Sequence, residues 1–263
     1  MSGSNIYGKR MINYAANLTL MFQEWCFLDR FEAAREAGFE AVEFSFPADI
    51  PANQVRAQLE RTGLCQVLAT AQLQPGSKGT AAVHGQQSRF REDFRIGLEY
   101  AVEAKSPLLH VLAGTVVRSD LAASCGQFIS NMEWAIQHAA TENVRVVIEA
   151  INQNSVPNYF ITSLSAAFDW SARLPGLGVI LDLYHAAMEG LEPVDCIGRY
   201  AEQCDHIQIA GYPGRHEPDR GTLDLGEILA TIENSHYRGW VGCEYQPAGP
   251  TVDGLRWLSS ISS

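Results

Sequence analysis

Val146-Val147-Ile148-Glu149 and, further along, Val179-Ile180-Leu181-Asp182 have one shape: three branched aliphatic residues closed by a carboxylate. Apolar runs this short, rich in branched side chains, read as strands covered on both faces, as in a parallel sheet. A carboxylate carried at the end of such a strand is costly to bury unless something compensates it. Two later runs repeat the theme, His206-Ile207-Gln208-Ile209 and Val241-Gly242-Cys243-Glu244, and upstream Glu43 stands inside Val42-Glu43-Phe44.

Outward from these runs the chain alternates short apolar stretches with longer amphipathic ones. Eight short stretches read as strands, at 14–20, 41–44, 65–71, 108–112, 144–148, 178–181, 206–209 and 241–244. Between them lie helical patterns. Leu28, Phe31 and Ala34 repeat at helical spacing and stop at Gly38, and a second helix around Val55 to Leu59 stops at Gly63. A third spans 88–104 and a fourth 121–141; others begin near Ser163, Pro193, Asp224 and Thr251, of which Ser163 and Asp224 are good N-cap types. Eight strand–helix units without a break in composition predict an α/β protein, one (β/α)8 TIM barrel over residues 1–263, with 1–12 a flexible extension. The alternative is an open doubly wound sheet, but no G-x-G-x-x-G follows the first strand, which argues against a dinucleotide site.

The bulk numbers bound the function. Of 263 residues, 46% are hydrophobic and 19% charged, so the chain is globular and long enough to bury a core without disulfides. The six cysteines form no C-x-x-C pair and are read as reduced thiols, with Cys65 and Cys243 in buried strands. The N-terminal stretch is polar and basic with no apolar core, and no run approaches membrane-spanning length, so a cytoplasmic protein is expected. A net charge of −11 argues against a nucleic-acid binder, although a few arginines or a metal ion still allow an anionic small molecule.

In a parallel barrel the C-terminal ends of the strands form the rim where chemistry occurs. Four successive strands bring Glu149, Asp182, Gln208 and Glu244 towards that rim. Three carboxylates and an amide converging there call for a cation, and an oxygen-only shell favours Mg²⁺ or Mn²⁺ over Zn²⁺. His185 is placed to add a nitrogen contact or to bind substrate. The competing reading makes each carboxylate a loop salt bridge. His206 opens its strand, away from the rim, and reads as structural; His110 points to either the core or the rim.

With these strand ends stand further motifs: Phe31-Glu32-x-Ala34-x-x-Ala37-Gly38-Phe39, Val42-Glu43-Phe44-x-Phe46-Pro47, Ile148-Glu149-x-Ile151-Asn152, Asp182-x-Tyr184-His185, Pro213-Gly214-Arg215-His216-Glu217-Pro218 and Gly239-Trp240-Val241-Gly242-Cys243-Glu244-Tyr245-x-Pro247. Together they resemble the hydroxypyruvate isomerase family, within the xylose isomerase-like barrels that also include sugar epimerases and endonuclease IV. The resemblance implies a metal-dependent aldose–ketose isomerase acting on a small carbohydrate acid, hydroxypyruvate to tartronate semialdehyde first. Glu149 and Glu244 would be the acid/base pair working through a cis-enediolate, and Asp182 and Gln208 would complete the metal shell. Arg215, assisted by His185 or His216, would hold the substrate carboxylate; Glu43 and Lys78 are further candidates for substrate contact. A homo-oligomer is permitted.

Three loops depart from the family pattern. The stretch from Ala69 to Gly79 lacks the family's Asp-Trp and Glu-Arg, although Lys78 offers a cation. Gly211 follows Ala210 where an aspartate is usual, and Asp219-Arg220-Gly221-Thr222 replaces a Gly-Thr-Gly-Glu pattern. Ser155 stands where an acidic residue is common. These loops shape the pocket, so substrate identity stays open between hydroxypyruvate, a 2-oxo-tetronate or its phosphate, and a ketose undergoing 3-epimerisation. A non-catalytic barrel is the remaining alternative.

Overall fold

The computed structural model describes residues 12–261. Strands Asn13–Asn17 (β1), Ala41–Phe44 (β2), Cys65–Thr70 (β3), Leu108–His110 (β4), Arg145–Glu149 (β5), Gly178–Asp182 (β6), His206–Ile209 (β7) and Trp240–Cys243 (β8) close in sequence order into one parallel barrel. Closure excludes the open sheet, because β1 pairs with both β2 and β8. Around it run the helices Arg30–Glu36 (α1), Ala52–Thr62 (α2), Gln87–Glu103 (α3), Leu121–Ala140 (α4), Leu164–Arg173 (α5), Leu183–Met188 (α6), Pro193–Tyr200 (α7), Leu225–Asn234 (α8) and Arg256–Ile261 (α9). Among the described residues no helix is long and apolar enough to cross a membrane.

Local chemistry sets the helix ends. Ser163 accepts from the Ala166 amide to start α5, and Asp224 accepts from Glu227 to start α8. Pro193 opens α7, where its missing N–H costs nothing. Gly63 ends α2 with φ +70°, a left-handed conformation that a β-carbon would strain. The expected helix at Thr251 is a short 3₁₀ turn, Thr251–Gly254, followed by α9. The one-and-a-half turns of α6 carry too little periodicity to stand out from β6.

Side chains alternate faces along a strand, and this parity builds both core and site. Ala15, Ala41, Val67, Leu68, Val147 and Ile180 meet in a cluster inside the barrel. Val42, Val146, Ile148, Val179, Leu181, Ile207, Val241 and Cys243 belong to the larger core that includes the helices. Two residues further along, the inward positions are Asn17, Glu43, Glu149, Asp182 and Gln208. A register shift between Val42 and Glu43 lets Val67 and Leu68 both reach the interior.

Several boundaries move. β1 stops at Asn17, short of 20, because the chain turns there, with Met21 N bonded to Asn17 O at 2.8 Å. β4 ends at His110, short of 112, and β8 ends at Cys243, leaving Glu244 at its mouth. Cys65 begins β3 exposed, contrary to its reading as a buried strand residue, whereas Cys243 is buried. Of the flexible extension expected at 1–12, residues 1–11 lie outside the described residues, and Ile12 packs against the core.

α3 lies so close to β3 that a β-carbon on Gly97 would fall 2.6 Å from Ala71 Cα. In an open helix Gly→Ala stabilises by up to about 1 kcal/mol. Here Gly97→Ala is expected to destabilise by about 1–3 kcal/mol, as overpacking does, measured by urea unfolding.

Candidate active site

The barrel mouth encloses a cavity of about 220 Å³ lined by Glu43, Lys78, His110, Glu149, His185, Gln208, Arg215 and Glu244 together with Asn17, Ser45, Thr70 and Ser155. A second cavity of about 190 Å³ lies at the opposite end, near Tyr14, Glu40 and Trp240. The mouth is the chemical end, because buried polar atoms without a protein partner lie there: Glu149 Oε1, Gln208 Oε1 and His110 Nε2.

Asp182 serves two elements. Its Oδ1 accepts from the amides of Tyr184, at 2.7 Å, and His185, at 3.2 Å, which starts α6 directly from β6. Its Oδ2 is left to meet Arg215 Nη2 at 3.2 Å. The same Nη2 lies 2.8 Å from Glu244 Oε2, so one guanidinium bridges two carboxylates. Arg215 sits on the loop after β7 with φ +53°, held by its amide to Gly211 O at 2.7 Å, and its guanidinium lies 4.9 Å from the centre of the Tyr184 ring. Glu217, two residues further along the same loop, pairs instead with Arg220.

Glu149 is buried at the end of β5. Burial first, and then the charges of Glu244 and Asp182, raise its carboxyl well above the ordinary range. Burial likewise pushes Glu244 up to about 8, with Arg215 pulling the other way. His110 Nε2 approaches Glu149 Oε2 at 3.6 Å, but burial lowers its pKa to about 4 and keeps the ring neutral.

His185 faces the same carboxylates, with Nε2 3.4 Å from Glu149 Oε1 and 3.7 Å from Asp182 Oδ2. Ligand atoms of Glu149, Asp182 and His185 all lie within 4.8 Å of one another, as metal ligands do. The proton inventory assigns the histidine otherwise. Its Nδ1 faces the Asn152 amide N–H at 3.4 Å and Asn152 Nδ2 at 2.5 Å. Asn152 Oδ1 is taken by the Ser155 amide at 2.8 Å, which fixes the orientation of that side chain. Nδ1 is therefore an acceptor. Burial lowers the pKa of the ring, so the neutral form carries its proton on Nε2. His185 thus presents a hydrogen-bond donor rather than a metal lone pair.

Four oxygen-bearing side chains remain for a cation: Glu149, Asp182, Gln208 and Glu244. Their chemistry fits a hard divalent ion, with two buried oxygens unpartnered and the Glu149 carboxyl forced upward by burial and then by its neighbours' charges. Glu43 lies lower in the barrel, fully buried; it accepts from Asn17 and Gln208 and is hydrogen-bonded to His206, so it is not free to take a substrate group. His216 does not line the cavity; its Nδ1 meets Gln246 O at 2.9 Å and links the loops after β7 and β8. His206, expected to be structural, is buried against Glu43. His110, left open between core and rim, lines the cavity. Asn17 and Asn152 were not singled out as site residues from sequence; their sequence signals were their places at the end of β1 and just after β5.

Residues 31–261 match the family model of the xylose isomerase-like TIM barrel, and the chain belongs to that family. A 2-oxo-tetronate isomerase of Cupriavidus necator is 37% identical over 254 residues, 94% of this chain and 98% of that protein. The hydroxypyruvate isomerase of Escherichia coli is 31% identical over 94% of this chain and 98% of its own length. A Brucella melitensis crystal structure, described as an AP endonuclease of family 2, superposes with a TM-score of 0.92 at 38% identity over 95% of this chain and 99% of that one. The chain is an isomerase on a TIM barrel.

The raised carboxyls give the metal-free protein a signature. Between pH 4.5, the ordinary Glu value, and about 8 the folded protein holds a proton on Glu244 that the unfolded chain has released. The associated stability is complete below pH 4.5 and lost as the pH rises through 8. His110 acts oppositely, but only below its ordinary 6.5. From pH 6.5 to 8, Glu244→Gln in chelated protein is therefore expected to gain melting temperature relative to the unsubstituted protein, as followed by circular dichroism.

Proposed function

We propose that this chain is a divalent-metal-dependent aldose–ketose isomerase of small 2-oxo and 2-hydroxy acids. The observation that carries the reading is the convergence of Glu149, Asp182 and Glu244 about one cavity, with unpartnered oxygens on Glu149 and Gln208. The identity to 2-oxo-tetronate isomerases, 34–37% against 29–34% for the hydroxypyruvate isomerases and putative ones, ranks a four-carbon acid narrowly ahead of hydroxypyruvate. The family resemblance also favours this chemistry.

Held by Glu149, Asp182, Gln208 and Glu244, Mg²⁺ or Mn²⁺ would supply Lewis acidity towards the substrate's carbonyl. The chain's own groups handle the protons. One of Glu149 and Glu244, ionised, takes the C–H proton from the hydroxyl-bearing carbon and leaves an enediolate. The other, protonated, returns a proton to the neighbouring carbon that was the carbonyl. Burial and the charge of Glu244 both disfavour ionisation of Glu149, which suits a division into one acid and one base. The hydroxyl proton passes to the oxygen that was the carbonyl's, so atoms and electrons balance without an oxidant or a second substrate. His185 Nε2–H donates to a substrate oxygen. Arg215 and Lys78, the latter with no ion pair among the described residues, meet the substrate's carboxylate; Lys78 is exposed at the cavity edge.

Glu149→Gln and Glu244→Gln are each expected to lower kcat by about 10²–10⁴ with the fold retained, as for loss of a general acid or base. Chelation should abolish turnover and Mn²⁺ restore it. The assay runs 2-oxo-tetronate, hydroxypyruvate and ketohexoses side by side; turnover confined to C3 of a ketohexose overturns the reading. Cleavage of an abasic duplex in the same panel would instead support the nuclease name carried by the Brucella relative.

A further inference from the structure

In the cavity floor sits a buried acid that the proposed chemistry does not use. Glu43 Oε1 accepts from Asn17 Nδ2 at 3.0 Å and from Gln208 Nε2 at 2.8 Å. Its Oε2 lies 2.6 Å from His206 Nε2. Glu43 and His206 are 0% and 1% exposed. The wall at β8, one strand beyond β1, is cut away for this carboxyl: a β-carbon on Gly242 would collide with Glu43 Oε2. An acid so placed costs stability unless its partners repay the lost hydration.

The proton inventory gives the network a direction. Asn17 Oδ1 accepts from the Thr19 amide at 3.0 Å, so Asn17 must turn its NH₂ to Glu43. Oε1 of Glu43 is then an acceptor whether or not Oε2 carries a proton towards His206. Facing an acceptor, Gln208 can only give Nε2, and its Oε1 must turn away from Glu43. That oxygen is buried and has no partner, and Gln208 lines the cavity beside Glu149 and Glu244. A glutamine amide free to flip would offer the cavity NH₂ about as readily as oxygen.

We infer that Glu43 is a positioning residue, which clamps the Gln208 amide so that its oxygen and not its NH₂ is offered to the cavity. The consequence for metal affinity rests on the proposed function; the clamp itself does not.

The test is made on full-length protein. In ¹⁵N-labelled, metal-free protein the Gln208 side-chain NH₂ signals, identified by their loss in Gln208→Met, are expected at hydrogen-bonded shifts. They should collapse towards solvent-exposed values in Glu43→Leu. The Mn²⁺ dissociation constant, by calorimetry, should weaken about 10–100-fold in Glu43→Leu, as for other groups that orient a ligand. Glu43→Gln, which keeps an acceptor oxygen, should restore most of the affinity. Glu43→Leu combined with Gln208→Met should bind Mn²⁺ no worse than Gln208→Met alone. Unmoved amide signals in Glu43→Leu, or additive losses in the double variant, overturn the inference. If Glu43→Leu does not fold, Gly242→Ala, which displaces the carboxyl but keeps it, takes its place with the same readouts. Failure of the unsubstituted protein to bind Mn²⁺ would sink the metal reading alone, because the amide signals of the metal-free protein still decide the clamp.

Discussion

Three acidic side chains share the mouth of a closed barrel, and their mutual repulsion governs what the rest of the site must do. Among the described residues Arg215 supplies the one cationic side chain in direct contact, bridging Asp182 and Glu244 through a single nitrogen. Glu149 lies outside that bridge, and its carboxyl is driven upward by burial and by both neighbours. A single guanidinium therefore compensates the cluster incompletely. That incomplete compensation is what would let the proposed divalent ion fit here, and what would let two acids differ in protonation.

The scaffold places these groups by parity more than by local preference. In β5, Val147 faces the barrel interior and Glu149 follows two residues on; in β6, Ile180 and Asp182 repeat the spacing. The apolar cluster low in the barrel and the polar cluster above it are successive layers of one alternation. The register that aligns Asp182 with Gln208, and Gln208 with Gly242, sets neighbouring strands level. Gly242 then leaves space where a side chain would collide with Glu43. Core and site are thus not separable: a one-residue slip would exchange carboxylates for aliphatic side chains along that strand.

That dependence explains which features could be read from sequence. Strand ends at Glu149, Asp182, Gln208 and Glu244 stand out because an oxygen-bearing group interrupts an apolar run. The fold was legible for the same reason, since the runs and helix stops alternate regularly. Partner choice was not legible. Glu43 and Glu149 are both carboxylates in apolar strands, yet Glu43 is satisfied by Asn17, Gln208 and His206, whereas Glu149 keeps an unpartnered oxygen. Arg215 and His216 are adjacent in the loop, but only Arg215 turns into the cavity, while His216 spans to Gln246. Cys65 reads as buried by composition but starts its strand at the exposed end. Such differences are decided by three-dimensional proximity, which spacing does not encode.

The division between strands and loops also orders the questions of chemistry and substrate. Residues on strand ends are held by the closed ladder and by capping bonds, as Asp182 is by two amides of α6. His185 gains its tautomer from Asn152, itself locked by Ser155, so even the proton it presents is set by the frame. The groups that differ from the family pattern, among them Lys78, Ser155 and Gly211, lie on the loops after β3, β5 and β7, where substitution disturbs no ladder. The proposed proton transfer between adjacent carbons would need only the rigid set. Recognition of the far end of the proposed substrate would depend on the variable one, where Lys78 has no ion pair among the described residues and reaches the same cavity. A barrel built this way keeps its reaction while its substrate changes, and that is why the carboxylate geometry argues for isomerisation more firmly than it argues for any one acid.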